Sequence, residues 1–272
     1  MKQQTFGVSR PSIAYELQYR RALNQLIKLM QGDVVDKLTT YYNRELAMDA
    51  EAKDVRAIMK ELRSKWYGKF DKRGAELSRW FAESADKRTK KELSDHMRCV
   101  GLTIEPTYNR AQKKLIGQLV KTNVQLIKSI PQQYLRGIEQ TIKKATVKGG
   151  DLEAITKEAT KAYREKFIKQ LSKSVDEIDK QALNRASLIA RDQNNKITQQ
   201  LMATNAQALG ATKGVWLHVP GKYSARVTHI AMNGKVFDLD KGLHDTSVGR
   251  EVKPGELPYC NCQFKVLMPG FE

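Results

Sequence analysis

The chain has 272 residues, of which 29% are charged and 7% aromatic, and its formal net charge is +18. This length can bury one large core or two smaller ones, and no run of about 18 apolar residues predicts a membrane span. The first residues lack the apolar segment of a signal peptide, and three cysteines are too few for a disulfide framework, so we expect a reducing cytoplasm.

Residues 1–105 are predicted to form a helical N-terminal region. Apolar residues recur at helical spacing over residues 17–30 and again over residues 55–81. Trp66 and Trp80 lie on the second stripe, which predicts that they are core residues rather than platforms for stacked bases.

A polar, basic stretch at residues 84–96 is predicted to form a loop or to cross solvent. Residues 101–106, with the sequence GLTIEP, interrupt the helical pattern. Between them, Cys99 is predicted to be a buried core residue.

The next region, residues 106–210, is predicted to be helical and basic. Pro131 lacks a donor N–H, so it should kink a helix or start a new one, with Ser129 as the candidate cap. Gly149 and Gly150 should stop that helix, and Asp151 can cap its successor.

Residues 106–149 hold nine Lys or Arg against one acidic residue, a net +8 of the total +18. Such concentrated charge predicts a polyanion or an acidic protein surface as partner, although a solvated helix face would have the same composition. Contact with DNA would be through phosphates, without sequence readout. The candidate contacts are Lys113, Lys114, Lys121, Lys128, Arg136, Lys143, Lys144 and Lys148.

Residues 211–272 are predicted to form a small C-terminal module. Short strands are predicted at GVWLHV, KVFDLD and CQFKV, while residues 246–260 form a loop rich in Gly and Pro. The predicted fold class is therefore mainly α, with a long helical part followed by a small, irregular α+β or β-rich module.

Cys260 and Cys262 stand one residue apart, which raises four possibilities. In an extended strand they lie on one face with Phe264, so they should point inward. A disulfide between such neighbours has poor geometry, and a catalytic thiol with His229 as base lacks an accompanying enzyme signature. Two alternatives stay open: packing as small apolar side chains, or a metal site for an ion such as zinc, formed with His229. A fourth ligand could be His218 or His244, with Asp238 and Asp240 as weaker choices.

Several segments between about residues 125 and 269 follow one another in an order and spacing that resembles the Mu F-like family of tailed-phage minor head proteins. They are SIPQQYLRGIEQTIKKA, ASLIARDQNNKITQQL, ALGATKGVWLHV, RVTHIAMNGKVFDLDKGLHD and KPGELPYCNC. The residues that resemble the family's C-terminal motif are Trp216, Arg226, His229, Gly234, Phe237, Pro254, Gly255, Cys260 and Cys262. The chain departs from it at Asn233, where Asp is common, and at Asn261, where Arg is common, which favours a structural role over chemistry.

The resemblance implies a virion structural protein without enzyme activity, present in several copies per virion. Its expected partners are the portal protein, capsid or scaffolding components, and phage DNA bound non-specifically. Its expected place is the capsid interior or portal vertex, after assembly in the host cytoplasm, with roles in head morphogenesis, DNA packaging and ejection. The alternative function is a metal-dependent nuclease or toxin-like enzyme in the C-terminal module. A general DNA-compacting protein would explain the charge but not these ordered segments.

Overall fold

Four long helices precede a small region with short strands in the computed structural model, which describes residues 5–6, 8–45, 52–103, 109–147, 157–221 and 225–268. The helices are α1 (Ile13–Glu45), α2 (Ala52–Cys99), α3 (Arg110–Val147), α4 (Lys157–Ala208) and the short α5 (Val227–Ala231). The strands are β1 (Thr5–Phe6), β2 (Lys213–Leu217), β3 (Val236–Asp238), β4 (Leu243–Asp245), β5 (Arg250–Val252) and β6 (Gln263–Leu267). The predicted fold class is confirmed. Over the described residues, no helix has the length and apolar character that crossing a membrane requires.

One compact unit, here called the helical unit, consists of Arg20–Gly74 and Val124–Ser187. Its part of α1 buries an apolar side chain every three or four residues, as the sequence predicts. These side chains are Leu23, Ile27, Met30, Val34, Leu38 and Tyr41. Trp66 is buried as predicted, and its indole N–H donates to Asp33 at 2.7 Å. The helical unit is thus built mainly by apolar helix faces.

The other compact unit, here called the mixed unit, consists of Met1–Tyr19, Ala75–Asn123 and Leu188–Glu272. Its four-stranded antiparallel sheet has the order β1-β6-β2-β3, and β4 and β5 form a separate hairpin. In the register of β2 and β6, Trp216 lies opposite Phe264. The strand β1, which the sequence analysis did not predict, pairs Thr5 with Leu267 at the edge of this sheet.

A single core in the mixed unit joins the strands to the helices. Leu93 and Met97 of α2 and Met202 and Ala206 of α4 belong to the same buried cluster as Trp216 of β2. The predicted boundary at residue 211 therefore separates helices from strands along the chain, but buried side chains cross it. The division into regions 1–105, 106–210 and 211–272 stays a prediction, because packing alone does not measure whether a region folds separately.

Polar residues explain why residues 84–96 are helical and not a loop. Asp86 and Thr89 are buried and both accept hydrogen bonds from the Asn205 amide, at 3.2 and 2.8 Å. Gln112 donates to the same Asn205 side chain. The polar sequence here combines this buried hydrogen-bond network with an exposed helix face that includes Lys87 and Lys91.

Two further local predictions were wrong, and one of the two alternatives for Pro131 is excluded. The helix α3 runs through Pro131 without a second helix beginning there. Ser129 does not cap a helix; its hydroxyl donates to the Leu126 carbonyl at 2.5 Å and accepts from the Arg185 guanidinium at 2.7 Å. Cys99 is exposed, because it is the last residue of α2.

The segment 246–260 was predicted as a loop, but it contains β5, which pairs with β4. The connection between these strands includes Gly249 at a φ of 68°, a conformation that glycine adopts without steric cost. Trp80 is half-buried and packs edge-on against Tyr15, with ring centroids 6.0 Å apart. The predicted cap Asp151 lies outside the described residues.

Candidate functional site

Two thiols and an imidazole meet in the interior of the mixed unit. The Sγ atoms of Cys260 and Cys262 lie 3.3 and 3.7 Å from the Nδ1 atom of His229. All three residues are buried, with His229 and Cys262 each 2% exposed. Their possible ligand atoms all lie within 4.8 Å of one another, and both cysteines are free thiols. These residues are called the thiol–imidazole cluster below.

The approach to β6 turns both thiols inward. Cys260 and Cys262 precede the strand, which begins at Gln263, and they continue its alternation. They are buried together with Phe264 and Val266, whereas the residues between them are half-buried. This inward orientation follows the two-residue period of an extended chain, from which it was predicted.

The imidazole of His229 comes from the short helix α5. Its ring packs edge-on against Trp216, with ring centroids 5.3 Å apart. Its Nε2 atom lies 3.0 Å from Oδ2 of Asp245, a fully buried carboxylate. Because a carboxylate accepts, Nε2 carries the proton and Nδ1 is left to face the two sulfurs.

The hairpin of β4 and β5 places the Asp245 carboxylate. Asp245 is the last residue of β4, and its Oδ1 atom accepts from the Ser247 hydroxyl at 2.7 Å and the Ser247 N–H at 2.9 Å. Burial raises the pKa of Asp245, but these hydrogen bonds and that of His229 outweigh it and lower the pKa to about 2. A negative charge is thus held behind the imidazole.

The thiol–imidazole cluster favours one thiolate when no other ligand is present. A hydrogen bond from Cys262 outweighs burial and, with the contact to His229, lowers the pKa of Cys260 to about 4. The same hydrogen bond and burial raise the pKa of Cys262. Burial lowers the pKa of His229, but Cys260 and Asp245 outweigh it and raise that pKa. The cluster therefore concentrates negative charge on sulfur beside the ring.

The helix α4 holds the two cysteines through their backbone. The amide of Asn195 donates to the carbonyl oxygens of Cys260 and Cys262 at 2.7 and 3.2 Å. One turn earlier, Oδ1 of Asp192 accepts from the Tyr259 N–H at 2.6 Å. Tyr259 has a φ of 59°, a left-handed conformation that is uncommon for a side chain of its size. The segment ARDQNN of α4 therefore fixes the shape of PYCNC.

Gly255 lies against the same face of α4. Its φ is 75°, and a Cβ atom there would lie 2.9 Å from Nδ2 of Asn195 and 3.1 Å from Cγ of Gln199. Gln199 in turn donates to the carbonyl of Ser9 at 3.0 Å. Only glycine fits both the backbone conformation and this close approach. Pro254, just before it, is buried.

Other motif residues complete the surroundings. Phe237 packs edge-on against Trp216, with ring centroids 5.9 Å apart, and Arg226 donates to the Pro258 carbonyl at 3.1 Å. Gly234 has a φ of 78° in the turn before β3. Asn233 accepts from the His218 N–H at 2.8 Å, a bond that an Asp could also make.

Only one of the proposed fourth ligands lies beside the thiol–imidazole cluster. His218 is half-buried, and its Nδ1 atom is 3.7 Å from the Cys262 sulfur. His244 is exposed, with its ring 3.9 Å from Glu251. Asp238 accepts from two backbone N–H groups in a turn, and Asp240 is exposed.

Residues 136–265 match the family described as Phage Mu protein F like protein. This region of the chain is Mu F-like. The family resemblance predicted from the sequence is confirmed over these residues. An uncharacterized protein of Haemophilus influenzae is 27% identical over 262 residues, which cover 93% of this chain and 53% of the relative. The chain thus spans about half the length of that relative, and no solved structure matches it significantly.

The basic residues of α3 lie at the start of the Mu F-like region and before it. Lys114, Lys121 and Arg136 are exposed, as are Lys113 and Lys143. Lys143 lies 3.4 Å from Glu139, and the half-buried Lys128 pairs with Asp71 at 2.7 Å. The side chain of Lys144 and the whole of Lys148 lie outside the described residues.

The sequence analysis missed Asp245, Asn195 and Asp192. Asp245 lay beside a segment interpreted as a loop, although the pattern HDTSVGRE, with one glycine before the returning residues, is typical of a hairpin. For Asn195 and Asp192 the available signal was the polar run RDQNN within an otherwise periodic helix. Such a run indicates either an exposed face or a face that binds backbone, and periodicity does not separate the two.

Proposed function

We propose that this protein is a minor structural component of a phage head that attaches at the portal vertex and acts in procapsid assembly and in DNA packaging or delivery. The observation that carries the proposal is the match of residues 136–265 to the Mu F-like family. The family's motif residues support a structural role here, because they are engaged in packing and in fixing the backbone. Gly255, for example, lies against α4, and Arg226 binds a carbonyl.

The exposed basic residues of α3 support contact with DNA or with an acidic surface of the portal. Lys114 and Lys121 are seven residues apart and so lie on the same side of α3. Lysine side chains in this position bind phosphates as point charges and read no sequence. Lys128 is a weaker candidate, since its charge already pairs with Asp71.

A metal-dependent nuclease or toxin-like enzyme is less well supported. Such an enzyme needs carboxylates that converge on a metal open to substrate. Here Asp245 lies behind His229 and is fully buried, and Cys260 and Cys262 are only 5% and 2% exposed. The line Cys260–His229–Asp245 has the order of a thiol catalytic triad, but Cys260 is only 5% exposed, so its sulfur is not open to a substrate.

The location is tested by quantifying the chain in purified proheads and virions of the phage that encodes it. We expect several copies per particle, retained when the head is opened and the portal oligomer is isolated. A chain that is absent from both particles, or that washes off with the DNA alone, would contradict attachment at the portal vertex.

DNA contact is tested separately by a salt titration with random-sequence duplex DNA. Replacement of Lys113, Lys114 and Lys121 by Gln should lower the salt slope by about 2 to 3, close to one unit for each lost phosphate contact. The matched control replaces three other exposed lysines, namely Lys87, Lys91 and Lys235. Equal loss in both variants would indicate a general charge effect, and unchanged binding would favour the portal as the partner of α3.

A further inference from the structure

We propose that the thiol–imidazole cluster, completed by His218, is a structural zinc site with two thiolate and two imidazole ligands. The proposal rests on the side chains of the mixed unit and does not depend on the protein's place in the phage head. It also accounts for the paired cysteines in a chain that has only three.

Distances between the side chains support a shared ion. A tetrahedral zinc with bonds of about 2.3 Å to sulfur and about 2.0 Å to nitrogen separates its ligand atoms by about 3.5 Å. The observed separations between sulfur and Nδ1 are 3.3 and 3.7 Å for His229 and 3.7 Å for His218. His229, Cys260 and Cys262 therefore lie near the spacing of a coordination shell, with all three ligand atoms within 4.8 Å of one another. His218 lies beside Cys262 but outside that group, so its ring must turn toward the ion to complete the shell.

The surroundings of His229 support ligation by its Nδ1 atom. Histidines that bind metals commonly donate their other ring N–H to a carboxylate, which fixes the tautomer and makes the ring a better ligand. Asp245 occupies that position, 3.0 Å from Nε2, and is itself fixed by Ser247. Simple packing of two thiols does not require a buried carboxylate at this place.

The backbone that carries the cysteines is also fixed in advance. Asn195 binds the carbonyl oxygens of both cysteines, and Asp192 holds the strained Tyr259 between Pro258 and Cys260. A single ion would join Cys260 and Cys262, which lie on one short segment, to His229 of α5 and to His218, which follows β2. Such a site can stabilise a small region with few long strands.

Charge and softness favour zinc over other common ions. Two thiolates neutralise a divalent cation, so the filled site carries no net charge into the core. Thiolate and imidazole together suit zinc, whereas calcium and magnesium prefer oxygen ligands. Four protein ligands would close the coordination shell, which is typical of a structural and not a catalytic zinc site.

The first experiment measures metal in the full chain, produced without an affinity tag that binds metal and purified under reducing conditions. We expect about one zinc per chain. Replacement by cobalt should give absorption bands for charge transfer from thiolate to metal, which report sulfur ligands directly. Protein without zinc that also fails to bind added zinc or cobalt would overturn the proposal.

Variants then test which residues bind the ion. Cys260→Ser, Cys262→Ser and His229→Gln should each abolish stoichiometric zinc, and His218→Gln should weaken zinc binding at least tenfold. Asp245→Asn should weaken it about 10- to 100-fold while the fold is kept, because Asp245 only positions His229. The matched controls are the exposed Cys99→Ser and His244→Gln, which should bind zinc normally.

A folding defect in a ligand variant does not hide the result. Cobalt bands and zinc content in Asp245→Asn and His218→Gln can be compared with circular dichroism of the same samples. Zinc binding that is unchanged in folded His218→Gln and folded Asp245→Asn would refute this set of ligands. Rapid alkylation of Cys260 by iodoacetamide in the zinc-loaded protein would likewise contradict it, since bound, buried thiolates react slowly.

Discussion

The helical unit and the mixed unit use different chemistry to bury their helices. In the helical unit, α1 presents an apolar side chain every three or four residues, including Leu23 and Ile27 at 0% exposure. In the mixed unit, α4 buries amides as well as apolar side chains such as Met202, and Asn195 and Gln199 bind backbone carbonyls of segments outside the helices. Apolar faces bring helices together in many ways, whereas amides that bind carbonyls fix one particular backbone shape.

Deleting an apolar side chain from the helical unit is expected to have the largest effect on stability. Ile27→Ala should lower the free energy of unfolding by about 2–5 kcal/mol, since it removes buried methylenes and leaves a cavity. Urea unfolding measures this change. The control Leu29→Ala, at a position 61% exposed on the same helix, should stay within about 0.5 kcal/mol. Similar losses at both positions would show that the stripe is not the core.

In the mixed unit, the largest expected effect comes from backbone shape and not from lost apolar area. Gly255→Ala should cost about 2–4 kcal/mol, because its φ of 75° is strained for alanine and the new Cβ would meet Asn195 at 2.9 Å. Gly249→Ala has a similar φ of 68° but open space around it, so it should cost about 1 kcal/mol. The difference between the two isolates the close contact with α4.

If Gly255→Ala and Gly249→Ala unfold at the same urea concentration, then Gly255 does not pack tightly on α4. In that case, Gly255 would not hold its segment, residues 253–257, against Asn195 and Gln199 of α4.

Truncation of a buried amide tests the second kind of packing directly. Asn195→Ala should cost about 1–3 kcal/mol, because two buried carbonyl oxygens lose their donor. Hydrogen exchange should rise first around residues 259–263. The control Gln200→Ala, half-buried on another face of α4, should leave this segment protected. Uniform loosening of the whole mixed unit would contradict a local role for Asn195.

The contrast between apolar stripes and buried polar contacts explains which parts of the fold could be predicted from the sequence. The stripe on α1 and the inward thiols were predictable, since each depends only on a period of about 3.6 or 2 residues. The helical state of residues 84–96 was not, because Asp86 and Thr89 are polar in sequence but buried beside Asn205. The contact between His229 and Asp245 was equally hidden, as it joins a short helix to a hairpin 16 residues later.

The smallest expected effect comes from the half-buried carboxylate of Asp33 in the helical unit, and it depends on pH. Burial raises the pKa of Asp33, but hydrogen bonds from Lys65 and Trp66 outweigh it and lower that pKa below its usual value. A carboxyl with a depressed pKa stabilises the fold above its unfolded pKa of about 3.9, and this stability is lost as the pH falls through the folded value. Asp33→Asn should therefore cost about 1 kcal/mol at pH 7, where Lys65 loses its partner at 2.8 Å, and less near pH 3, below the unfolded pKa. Urea unfolding at both pH values measures this difference, with Asp36→Asn, exposed on the same helix, as the matched control for removal of a surface carboxylate. If Asp33→Asn costs the same at both pH values, the loss does not come from the charge. It would then come from the hydrogen bond of Trp66, which an amide oxygen can still accept but in altered geometry.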